Sequence, residues 1–142
     1  MKRAAFVLGL CGLIPFIGLG VLALASATYA SAAAGMQKDY AAAVLAFLGA
    51  LHWGATLIGK LPTTRAWISL AWGVVPALWA VAVTGKPITL ALPWLGIGIM
   101  LTLGADWAMR RWHGWPSWYL PLRLMLTVGA LLGISLTMVA IS

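Results

Sequence analysis
Polar residues fall in short clusters along the chain, and the stretches between them stay apolar for about 18 to 22 residues. Polarity nowhere alternates with period two, which argues against the strands of a membrane barrel. Coiled as an α-helix rising about 1.5 Å per residue, each apolar run matches the roughly 30 Å hydrocarbon core of a bilayer. The pattern predicts five spans, at about Ala4–Ala25, Tyr40–Gly59, Ala66–Thr84, Ile88–Met109 and Leu122–Ile141. No repeat, low-complexity tract or break in composition divides them. The expected architecture is all-α, a polytopic five-transmembrane-helix bundle forming one transmembrane domain over residues 1–142.

Composition closes off the soluble alternative. The 142 residues are 63% hydrophobic and 8% charged, with a mean hydropathy of +1.02. Soluble domains carry roughly a quarter charged residues, and a chain this small has too little interior to hide so much apolar surface. Charge then supplies an orientation. Lys2, Arg3, Lys60, Arg65, Arg110, Arg111 and Arg123 share one side of a five-span topology, leaving only Lys38 and Lys86 on the other. Lys and Arg in short loops mark the cytoplasmic face. A cytoplasmic N-terminus in a bacterial inner membrane is therefore expected. The net charge of +7 reads as affinity for anionic headgroups on that face, and not as a nucleic-acid surface.

Met1-Lys2-Arg3, the following apolar run and Ala25-Ser26-Ala27 resemble a secretory signal. The run exceeds the usual signal core of about 7–15 residues, so an uncleaved first helix is expected. Cys11 is the only cysteine. It can form no intramolecular disulfide, and it is expected to pack as a small buried hydrophobe.

Membrane helices associate through close packing and polar contacts, because lipid is as apolar as leucine. Ala42, Ala46, Ala50 and Gly54 make a ridge of small residues on the second span, and Gly129 and Gly133 a GxxxG pair on the fifth. Gly96 and Gly104 lie on one face of the fourth. Packing within the bundle is the expected use, with contact to another protein as the alternative. Pro15 and Pro76 fall inside spans. Pro93 either sits inside the fourth helix or opens it, leaving Gly85–Leu92 as a loop. Trp107, Trp112, Trp115, Trp118 and Tyr119 crowd the fourth loop beside Arg110, Arg111, His113 and Arg123. Such rings prefer the headgroup level, so Arg110, Arg111, Trp112, Trp115, Trp118 and Tyr119 are expected to anchor that loop at the interface. Docking of a partner is their sharper alternative.

An ionisable side chain at membrane depth is costly and should face a partner or a cavity. His52 lies near the middle of the second span and Asp106 near the end of the fourth. Asp39, the other acid, is expected at the start of the second helix, where it would suit the helix dipole. Asp106 and Arg123 flank one loop and are expected to pair across the helices it joins. His52 is expected to bond a backbone carbonyl or Asp106, and a His52–Asp106 proton relay is the functional alternative. The two histidines are expected at different depths, which excludes bis-histidine haem. No other metal-ligand set, Ser–His–Asp spacing or phosphate loop appears. No cofactor, metal or catalysis is expected.

The same residues carry a family likeness. Gly12-Leu13-Ile14-Pro15-Phe16, Tyr40, Phe47-Leu48-Gly49-Ala50-Leu51-His52-Trp53-Gly54, Asp106, Trp118-Tyr119, Leu122-Arg123-Leu124 and Leu126-Thr127 follow one another along the chain. In this the chain resembles the domain-of-unknown-function family 3429, which includes the transmembrane protein 69 group of mitochondria. Family members often have glycine where this chain has Ala50. The resemblance implies a small multi-span protein of bacterial inner membranes and mitochondria. It marks His52, Trp53, Asp106, Trp118, Tyr119 and Arg123 as motif positions and implies no activity or cofactor.

Three functions remain open. An accessory subunit or assembly factor of a larger respiratory or photosynthetic membrane complex comes first, with other membrane proteins as its partners. A small channel or carrier using a His52–Asp106 path is the second, and a lipid or quinone site in a groove lined by His52 and tryptophans the third.

Overall fold
In a computed structural model describing all residues 1–142, the chain is helical from end to end and has no strand. The helices are α1 Lys2–Ala25, α2 Ala27–Ile58, α3 Thr63–Thr84, α4 Ile88–Ala108, the single turn α5 Arg110–His113, and α6 Tyr119–Ile141. All but α5 are long and apolar enough to cross a bilayer, and the chain is a multi-pass membrane protein.

The second helix begins at Ala27 and not near Tyr40. Residues 27–39 are small and only weakly apolar, so hydropathy undervalues them. Alanine, the best helix former, supplies five of the first eight. Ser26 alone separates α1 from α2, its extended backbone (φ −145°, ψ 110°) reversing the chain. Ala23 then packs on Ala30 and Ala33. At 32 residues, α2 is about 48 Å long. Asp39 consequently lies inside the helix and not at its start. Its exposed carboxylate stands 3.7 Å from the Lys38 ammonium, which also donates to the Thr84 carbonyl at the end of α3 (3.2 Å).

Glycines set the helix contacts. α1 and α6 run parallel, as five crossings require. Leu13 covers Gly129, and Gly133 sits against the Phe16 carbonyl and Gly20. Here the GxxxG pair meets a neighbour within the chain. Between α2 and α3 the backbones of Gly49 and Gly73 touch, and the Trp53 ring lies over Gly73 while its Nε1–H donates to the Leu70 carbonyl (2.9 Å). Leu45 of α2 fills the notch at Gly98 of α4. Phe16, Leu45, Leu92, Leu95 and Ile99 form the fully buried centre. Gln37, also buried, donates to the Phe16 carbonyl (2.8 Å).

The small-residue ridge of α2 packs inside the bundle only at its start, where Ala42 lies against the core. Ala46 is half-buried, Ala50 and Gly54 are exposed, and no atom of another helix approaches Gly54. Gly49, one position from Ala50, makes the contact instead, because one residue turns a helix face by about 100°. Gly96 meets Leu131 and Ile134, but Gly104 is open. Pro15, Pro76 and Pro93 all lie within helices, so Gly85–Leu92 is not a loop. Cys11 is exposed on the surface of the bundle and not buried.

The N-terminus, the α2–α3 turn and the α4–α6 connection share one end of the bundle, and with them Lys2, Arg3, Lys60, Arg65, Arg110 and Arg111. This is the basic end. Replacing Gly133 by valine drives a side chain into the Phe16 backbone and should cost about 1–3 kcal/mol. Gly104→Ala should stay within about 0.5 kcal/mol. Unfolding titrated with dodecyl sulfate in mixed micelles measures both, and equal midpoints for the two variants would contradict the α1–α6 packing.

Candidate functional site: a buried polar cluster at the basic end
Asp106 lies in the last turn of α4, two residues from its end, and Arg123 one turn into α6. The intervening connection folds back on itself, so the two helices present these side chains to each other. Arg123 Nε donates to Asp106 Oδ2 at 2.6 Å, and one of its terminal nitrogens donates to the Thr102 hydroxyl one turn along α4 (3.1 Å). Tyr119 donates its hydroxyl to the same carboxylate oxygen (3.2 Å). Asp106 is 1% and Arg123 4% exposed. With both ions out of water, a charge-assisted bond of this length is far stronger than a surface pair.

His52 reaches the other side of the carboxylate. Its Nε2 stands 3.5 Å from Asp106 Oδ1, near enough for charge to be felt but long for a hydrogen bond. Neither imidazole nitrogen nor Asp106 Oδ1 has a hydrogen-bond partner. Asp106 therefore faces Arg123, Tyr119 and His52 at once, from α6 and α2.

The other histidine is the surprise of the arrangement. His113 does not lie at a different depth from His52, because their rings meet edge to face at 5.5 Å. The short α5 helix and Gly114, in the left-handed region at φ 58°, turn the loop inward beneath α2 and α3. His113 Nε2 then stands 3.0 Å from the buried Ser69 hydroxyl, which accepts from Thr56 of α2 (2.8 Å). The argument from depth against paired haem ligands falls with this geometry. The chain nonetheless brings together no group of three or more His, Cys, Asp or Glu suited to a metal ion. Burial pushes the His113 pKa below its usual 6.5, and neighbouring His52 pushes it the same way, against a smaller upward pull from Asp106.

The aromatic loop divides between two uses. Trp115 and Tyr119 are half-buried and turn toward the polar cluster. They stack on each other at 4.4 Å, and Trp115 closes over His113 (5.1 Å) and His52 (6.4 Å). Arg110 lies over Trp107 at 4.1 Å and Arg65 over Trp112 at 5.5 Å. Arg111 is exposed, and Trp118 leans on Phe6 of α1 (6.4 Å). Sequence reasoning placed His113 in the interfacial loop and not beside His52, and it missed Ser69, Thr56 and Thr102. Serine and threonine in apolar spans were the available signal, since a hydroxyl there needs a partner.

Fold and site together define a polytopic helical membrane protein whose buried ion pair clamps two helices at one end. The chain belongs to the family described as protein of unknown function (DUF3429), whose model matches residues 1–140. It is 35% identical over 130 residues to transmembrane protein 69 of Xenopus tropicalis, covering 90% of this chain and 51% of the frog protein. To transmembrane protein 69 of Mus musculus it is 30% identical over 139 residues, 96% of this chain and 56% of the mouse protein. The chain thus spans about half the length of the curated relatives it matches. No solved structure matches it.

Removing one member of a buried ion pair leaves the other uncompensated. Asp106→Leu and Arg123→Leu should each cost about 3–5 kcal/mol, and the double variant less than their sum. Strict additivity in the same unfolding titration would refute the pairing. Acid should also loosen the fold. His113 stays neutral in the folded chain while the unfolded chain takes up a proton, so stability should fall as the pH drops below about 6.5. A smaller slope in His113→Gln, followed by thermal unfolding in detergent, checks the assignment.

Proposed function
We propose that this protein is a non-catalytic interaction protein, an accessory subunit or assembly factor of a larger membrane complex, respiratory or photosynthetic in setting. One observation carries the reading. Ala43, Phe47, Ala50, Gly54 and Leu57 lie exposed along one face of α2, and the bundle leaves Gly54 open. Small residues in membrane helices permit close backbone approach, and lipid makes no use of that shape. A second helix from another membrane protein does.

The buried cluster supports the same reading. Asp106 Oδ2 is committed to Arg123 and Tyr119, and Arg123 also to Thr102, which suits a clamp holding α4 to α6 more than a reacting site. The frog and mouse relatives are named only as transmembrane proteins. In this proposal the chain resides in a bacterial inner membrane with its N-terminus and basic end in the cytoplasm, where Lys2, Arg3, Lys60, Arg65, Arg110 and Arg111 face anionic headgroups.

Two measurements test it. Purified in mild detergent from its native membrane, the chain should migrate with other membrane proteins. Gly54→Leu should release them while leaving the unfolding midpoint within about 0.5 kcal/mol of the native chain. A chain that always runs alone sinks the proposal. Alkaline phosphatase fused after Ser142 should be active and a fusion in the Gly59–Pro62 turn silent, and the reverse would invert the orientation.

A further inference from the structure
A lateral groove of about 420 Å³ runs between α1, α2 and α6, within the range of about 300–1,000 Å³ usual for small-molecule sites. It is not the expected groove around His52, which faces the polar cluster and takes no part in the lining. Its walls are almost wholly apolar. They run from Ala5 to Phe16 on α1, from Tyr40 to Leu51 on α2, and from Trp118, just before α6, to Ala130 on it. Each wall is eleven or twelve helical steps long, or about 17 Å at 1.5 Å per residue. That is close to half the roughly 30 Å hydrocarbon core. The groove therefore reaches from the basic end to the middle of the bilayer and has the depth of one leaflet.

Charge distinguishes its mouth from its floor. Lys2 and Arg3 are exposed one turn above Ala5. The Lys2 ammonium lies over the Phe6 ring at 5.9 Å, and Phe6 packs on Trp118, which lines the mouth. No acidic side chain lines the groove. Deeper in, Gly12 of α1 keeps it open, since a Cβ there would find only the Tyr40 hydroxyl at 3.7 Å, whereas Gly9 lies against the Leu126 side chain.

We infer that the groove holds one acyl chain of an anionic phospholipid from the leaflet at the basic end, its headgroup seated beside Lys2 and Arg3. The apolar walls take the chain, the depth matches it, and the two cations select the headgroup, as basic clusters at the membrane surface do. The site shares Phe47 with the exposed face of α2 on which the proposed function rests, but Ala50, Gly54 and Leu57 of that face lie outside its lining.

The test uses the full chain in vesicles of phosphatidylcholine and phosphatidylglycerol in equal amounts, extracted in mild detergent, with the retained lipids measured by mass spectrometry. Phosphatidylglycerol should be enriched several-fold over the vesicle composition. Gly12→Leu, which fills the groove, should lower the total lipid retained, whereas Gly104→Leu, on an open surface elsewhere, should not. Lys2→Gln with Arg3→Gln should leave total retention intact and return the ratio to that of the vesicles. A native chain with no preference for phosphatidylglycerol overturns the inference. A preference that survives both the groove and the charge variants does so as well. Because the Thr127 hydroxyl on the wall is buried without a partner, a neutral quinone is the competing occupant. Extracts from native membrane enriched in quinone and not in anionic lipid would also overturn the inference.

Discussion
A carboxylate inside a membrane bundle has no water to turn to, and the arrangement of the basic end follows from how Asp106 is matched. Arg123 supplies the opposite charge and Tyr119 a second donor. Both come from the first turns of α6, so satisfying one oxygen fixes the position and rotation of a whole helix. Thr102 accepts from the remaining reach of the guanidinium, which prevents Arg123 from leaving toward the headgroups. The GxxxG pair of α6 then meets α1 in register, with Gly133 facing Phe16 and Gly129 facing Leu13. Polar matching at one end and close backbone packing through the middle are thus parts of one constraint on α6.

The second half of the cluster rests on the loop. Four residues of helix, a glycine in the left-handed region and two turns of chain bring His113 and Trp115 under α2 and α3. The loop is consequently a lid on the ionic core as well as a surface segment. Its outer face keeps the Arg110–Trp107 and Arg65–Trp112 pairs, which suit an interface where one side of a ring is buried and the other wet.

The spans were legible in the sequence because lipid imposes a length and forbids exposed backbone groups. The Asp106–Arg123 pair was legible for a similar reason, since two charges flanking one short loop have few other partners. Three features were not. The start of α2 was hidden by alanines, which form helices without registering as strongly apolar. The packing face of α2 was misread because Gly49 and Gly54 sit on different sides of one helix, and small-residue spacing alone does not say which side meets a neighbour. The meeting of His52 with His113 depends on the path of the α5 loop, and a path set by tertiary contact leaves no periodic trace.

The length of α2 has a consequence for the surrounding bilayer. Lys38 bonds to the last turn of α3, yet α2 begins at Ala27, about 16 Å further along the axis. On the α3–α4 side the body therefore ends well short of the α1–α2 hairpin, and its apolar belt sits at uneven levels around the circumference. Lipids of uniform thickness cannot solvate both sides equally. Because α3 and α4 are nearly as long as α1 and α6, the two sides are offset along the axis. Tilting the bundle or stepping the bilayer around it costs a fraction of a kcal/mol per ångström of mismatch. An offset belt of this kind couples the tilt of the bundle to the thickness of the bilayer around it.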